Sequence, residues 1–177
     1  MGVTTKGRNH HSAYTGEVSV QQERDADIAL VLDFLNTVNI EEGADVLRAT
    51  GTWQRWAQDR SLRPGTLAAA RKARDALRAT AGDPTLHPAP ARTAVHVELT
   101  PDGPALVTDD ALGAALAAAT RLAVLGEWDR VKICPADRCR WAFYDRSRNR
   151  SRTWCSMRVC GNREKARAWR GRASGRG

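Results

Sequence analysis

The chain has no cysteine outside residues 134 to 160, no apolar run approaching the length of a bilayer, and few aromatic rings. A membrane-crossing helix needs about twenty consecutive apolar residues, so no membrane-spanning helix is expected. Nothing at the N-terminus reads as an export signal, and a cytoplasmic, reducing compartment is the expectation for its thiols. Aromatics make up only 6% of the 177 residues. Alanine and leucine are abundant instead, which favours helices packed closely through small side chains. The sequence also lacks a nucleophile beside a base, a glycine-rich phosphate loop and an open metal position, so an enzyme is not expected.

Acidic residues are scarce in one part of the chain only. Residues 130–177 hold fifteen Lys or Arg against three Asp or Glu, whereas the preceding residues hold thirteen against seventeen. The net charge of +8 therefore joins a mildly acidic body to a strongly basic end. That division suits a polyanion-binding tail on a neutral or acidic domain.

The basic end contains all four cysteines, Cys134, Cys139, Cys155 and Cys160. They form two pairs of equal internal spacing, fifteen residues apart. Two turns, each pointing two thiolates at one centre, supply the four soft ligands of a tetrahedral Zn2+. Arg138, Arg140, Arg152, Arg158 and Arg163 lie within three residues of a cysteine and should favour thiolate over thiol. Two disulfides and an iron centre are the alternatives that spacing leaves open.

Cys160, Gly161, Asn162 and Arg163, preceded by the run from Asp145 to Asn149 and by Trp154 to Met157, resemble the CGNR zinc finger. In that family the finger commonly follows an N-terminal domain called ABATE, described as a stress-induced transcriptional regulator. The run from Leu30 to Thr37 is similar to the opening helix of that domain. The resemblance spans residues 25 to 172 and implies a bacterial regulator whose finger binds nucleic acid.

Taken in order, residues 1–22 read as a flexible leader in which His10 and His11 form an isolated pair. Ile28, Val31, Leu32, Leu35 and Val38 then recur at helical spacing from Asp25 or Asp27 to Asn39. Within this helix Asp33, Asn36 and Thr37 read as a polar network tying neighbouring elements together, with a small-molecule site as the alternative. A second helical piece begins near Thr50–Thr52 and buries Trp53, Trp56 and Ala57. Residues 66–80 read as a surface helix with Arg71, Lys72 and Arg78 in solvent. Gly82 to Pro84 and Pro88 to Pro90 break the chain. Val95, Val97 and Leu99 alternate with His96 and Glu98, giving a small hairpin whose valines face inward and whose His96 faces out. Asp109 or Asp110 caps a last long helix that reaches about Glu127.

Inside the basic end, Trp141 to Tyr144 has strand character, with rings available to pack over the metal. Arg146, Arg148, Asn149, Arg150 and Arg152 alternate with small polar residues in a loop suited to phosphate contact. A terminal helix from Gly161 or Asn162 to about Arg170 carries Arg163, Lys165, Arg167 and Arg170, with Arg163, Arg167 and Arg170 on one face.

The expected fold is mainly α (α+β). It comprises a leader over 1–22, a helical ABATE-like domain with a small β-hairpin over 23–128, a treble-clef or ribbon-like four-cysteine zinc finger over 129–172, and a tail over 173–177. The expected function is zinc-dependent nucleic-acid binding by a transcriptional regulator, with DNA ahead of RNA. A homodimer and a small-molecule effector fit the N-terminal domain. RNA binding would require Trp141, Phe143, Tyr144 or Trp154 to stack on bases.

Overall fold

A computed structural model describes residues 12–101 and 103–174, about half of the chain being helical. The longest helix, α1, runs from Ser12 to Leu35. It thus begins inside the segment read as a leader and ends one turn before Asn39; His10 and His11 lie outside the described residues. After α1 the chain forms a minimal ladder, β1 (Val38–Asn39) against β2 (Ala44–Asp45). Two further helices follow, α2 (Thr50–Gln58) and α3 (Leu67–Thr80). A hairpin of β3 (His96–Thr100) and β4 (Gly103–Val107) precedes α4 (Ala111–Val124). The Asp110 side chain accepts a hydrogen bond from the Gly113 amide at 2.8 Å, capping α4.

Two apolar clusters hold the helices together. Phe34, Leu47, Trp53, Trp56, Ala70, Leu112 and Ala115 form the first. In it Trp53 and Trp56 stack at 5.1 Å with Phe34 tilted against both. The second joins Ile28, Val31 and Leu35 of α1 to Ala118, Ala119 and Leu122 of α4, and reaches on to Val131, Ile133 and Ala142. Those last three residues belong to the finger hairpin, β5 (Val131–Ile133) paired antiparallel with β6 (Ala142–Tyr144). The chain enters the basic end without leaving the helical core.

Two local readings need correction. Val97 is 71% and Leu99 85% exposed, so β3 does not turn these apolar side chains inward, and β4 half-buries Ala105 and Val107. Alternation defines two faces of a strand but cannot say that one of them is covered. Arg78, read as a solvent residue, is 1% exposed. Its guanidinium pairs with the buried carboxylate of Asp83 at 2.8 Å and donates to the carbonyls of Leu35 at 2.9 Å and Arg140 at 2.7 Å. Asp33, Asn36 and Thr37 each reach a different partner. Asp33 pairs with Arg60 at 2.8 Å, and that guanidinium lies 4.0 Å above the Trp56 ring. Thr37 bonds back to the Phe34 carbonyl at 2.7 Å. Asn36 reaches β6, donating to the Ala142 carbonyl at 3.0 Å and accepting from its amide at 2.7 Å.

Candidate metal centre and nucleic-acid interface

The first cysteine pair lies on the knuckle between β5 and β6. Cys134 follows directly after Ile133, its amide donating to the Trp141 carbonyl at 3.0 Å. The Cys139 amide closes a turn onto the Ala136 carbonyl at 2.8 Å. Arg140 then takes a left-handed conformation, φ 46°, that returns the chain into β6. Of the second pair, Cys155 precedes a wide helical turn, Met157–Gly161, and Cys160 lies within it, just before α5 (Asn162–Ser174). Ser156 caps this turn by accepting from the Val159 amide.

These two segments bring all four sulfurs within 4.8 Å of one another. Cys139 and Cys155 are 3.4 Å apart and Cys155 and Cys160 3.6 Å apart, sulfur to sulfur. A tetrahedral ion with bonds of about 2.3 Å would place its sulfurs about 3.8 Å apart, so the donor set fits such an ion closely. Burial and the neighbouring sulfurs push the thiols of Cys155 and Cys160 up, the latter to about 11. For Cys134, burial is outweighed by hydrogen bonds from the backbones of Cys155 and Ala136, and its thiol falls below the ordinary value. Four crowded thiolates require a cation among them, which is what a bound divalent metal supplies.

Apolar cover is thin. Phe143, Ala136 and the half-buried Trp154 pack on the sulfurs. Gly161 packs closely here: a Cβ would meet the sulfur of the exposed Met157 and come within 3.1 Å of the Trp154 ring. Of the other rings in the run, Trp141 is partly exposed, while the Tyr144 hydroxyl donates to Glu127 against the helical core.

Asp145, fully buried, organises the loop that follows β6. Its carboxylate accepts from the Lys132 ammonium at 2.7 Å and from the amides of Ser147 and Arg152, each at 2.8 Å. Burial opposes ionisation, yet these donors hold the carboxyl well below the usual carboxylate range. Arg130 adds bonds to the carbonyls of Asp145 and Ser147, both 2.9 Å. Sequence reasoning missed Asp145, Lys132, Arg78 and Asp83. For Asp83 a signal existed: Gly82-Asp83-Pro84 followed by Thr85 is turn chemistry, and Asp83 accepts from the Thr85 amide at 3.1 Å.

The cations read as a phosphate-binding set fall into two groups. Arg146 pairs with Asp25 at 3.4 Å, Arg150 with Asp129, Arg163 with Glu41 at 3.2 Å, and Arg167 with Asp137 at 3.2 Å. Arg152 donates to the carbonyls of Trp154 and Cys155 and lies 5.0 Å from the Phe143 ring. Arg140, beside the first knuckle, likewise turns to an acidic partner, Asp83 at 3.6 Å. By contrast, Arg138, Arg148, Asn149, Arg158, Lys165 and Arg172 are exposed, and their side chains have no ion-pair or hydrogen-bond partner among the described residues. Arg170 lines a cleft beside Arg163 and Arg167. Lys165, Trp169 and Arg172 follow the three-and-four spacing of a different face of α5, with Trp169 66% exposed.

A four-cysteine finger whose hairpin is built into a helical domain is the class these features define. Residues 130–173 match the family model of the CGNR zinc finger, and the helical domain lies outside that match. No curated protein matches the chain. Among the described residues no helix is long and apolar enough to cross a membrane.

Proposed function

We propose that this chain is a zinc-dependent DNA-binding regulator, its finger of the treble-clef type and its helical domain serving as sensor or dimerisation unit. The observation that carries the reading is a set of cations on the finger with no partner among the described residues: Arg148, Arg158, Lys165 and Arg172 face solvent around a centre suited to four-sulfur coordination. The centre orders the backbone, and cations held on an ordered surface attract a polyanion without first being fixed. Zinc is the natural occupant because four thiolates close its shell and the site leaves no open coordination position. Those cations, with Asn149 beside Arg148 and Trp169 between Lys165 and Arg172, are better placed for phosphate or base contact than Arg146, Arg150 or Arg152.

Few rings in the run from Trp141 to Trp154 are free to stack on RNA bases. Phe143 is buried on the sulfurs, and Tyr144 and Trp154 are half-buried, which leaves Trp141 as the exposed member of the set that stacking would use.

Titration of the intact, zinc-loaded chain with duplex DNA at several salt concentrations tests the reading. Affinity should fall with a log-log slope of about −0.9 for each phosphate neutralised. Arg148→Ala and Lys165→Ala should each weaken binding and flatten the slope by about one phosphate, with zinc content unchanged. Absence of binding to any duplex at low ionic strength would end the proposal.

A further inference from the structure

The opposite face of α5 does different work. A cleft of about 710 Å3 opens between the finger and the helical domain. Arg163, Arg167 and Arg170 of α5 form one wall, Asp137 and Arg138 of the first knuckle another, and Ile40 and Glu41 from the β1–β2 turn close it. Its volume lies within the roughly 300–1,000 Å3 usual for small-molecule sites.

The cleft is doubly polar. Four guanidiniums face two carboxylates, and the ion pairs Arg163–Glu41 and Arg167–Asp137, each 3.2 Å, join one to the other. All four partners are substantially solvent-accessible, so these pairs are weak. Phosphate carries more charge than carboxylate and accepts two parallel bonds from one guanidinium. It would displace the carboxylates from arginines they already restrain. A duplex backbone fits less well, since a continuous row of phosphates would have to pass Glu41 and Asp137. Those carboxylates instead suit the hydroxyl or amino donors of a compact ligand, and Ile40 offers apolar contact.

We infer that this cleft is a binding site for a small phosphorylated ligand of the nucleoside diphosphate class, held through its phosphates by Arg138, Arg163, Arg167 and Arg170. The inference does not depend on the proposed DNA binding, which is assigned to Lys165 and Arg172 on the other face of α5.

Calorimetric titration of the full-length, metal-loaded chain with ADP, inorganic pyrophosphate and adenosine provides the test. ADP and pyrophosphate should saturate at one equivalent per chain, and adenosine should give no binding. The double variant Arg138→Ala, Arg167→Ala should weaken ADP by about tenfold or more, as expected for losing charge-assisted bonds. Lys165→Ala with Arg172→Ala should leave ADP affinity unchanged while weakening duplex DNA, so the two activities fail separately. Glu41→Gln, which removes a competing charge without touching the arginines, should tighten pyrophosphate. The site is refuted if neither ADP nor pyrophosphate saturates at millimolar concentration, if both double variants weaken ADP equally, or if Glu41→Gln leaves pyrophosphate affinity unchanged or lower.

Discussion

The aromatic cluster of the helical domain and the sulfur cluster of the finger are buried centres made by opposite means. Around Phe34, Trp53 and Trp56 the chain supplies three large rings and a floor of alanines, enough apolar surface to exclude water unaided. Around Cys134, Cys139, Cys155 and Cys160 it supplies one buried ring, one half-buried ring and an alanine. The deficit is met with charge: a four-sulfur donor set suited to a metal ion, and Lys132 with two amides on Asp145 beneath the adjoining loop. Where apolar side chains are scarce, a small module gains order from charges that can be satisfied in only one geometry.

That contrast can be broken by perturbing each centre in turn. The largest effect should come from the metal. Structural zinc binds finger peptides with about 10–16 kcal/mol, so Cys155→Ser or a chelator should unfold the finger. Because β5 and β6 share a core with α1 and α4, helical circular dichroism should also melt earlier; an unchanged helical transition would show the two halves to be independent. Trp53→Ala should cost about 3–5 kcal/mol by denaturant unfolding while leaving metal stoichiometry intact. Arg78→Met strands the buried Asp83 carboxylate and should cost a similar amount, about 3–5 kcal/mol; its melting curve would separate the two halves if the Arg78 link to Arg140 couples them.

The smallest effect is pH-dependent. The folded-state pKa of Asp145 lies below its unfolded value of about 3.9. Its contribution is therefore fully present above about pH 4 and is lost as pH falls through the folded value. Asp145→Asn should destabilise the chain by about 1–3 kcal/mol at neutral pH, the cost of unmade buried bonds. Denaturant titrations from about pH 7 to about pH 3 should show the gap to wild type narrowing below about pH 4, metal loss being common to both proteins.

Much of this arrangement is legible in the residues. Two cysteine pairs of equal spacing point to one centre, and Asp110 before an apolar stripe marks α4 to within a residue at its start. Buried charge is not legible in the same way. The periodicity of its helix sets Arg78 in solvent with Arg71 and Lys72, and only the third dimension brings Asp83, Leu35 and Arg140 to it. Asp145 looks like one more polar residue in an arginine-rich loop until the fold closes around it. The cation set shows the same limit. Composition counts arginines, but pairing decides which of them remain for a partner, and Asp25, Asp129, Glu41 and Asp137 already engage four.

Asn36 has a consequence for anyone wishing to dissect the molecule. Its amide borders β6 as a neighbouring strand would, supplying the donor and acceptor that Ala142 turns away from β5. A fragment beginning at residue 129 would carry a bare hairpin edge and leave the last turn of α1 facing water, so each piece would be prone to stick to other chains in place of its lost half.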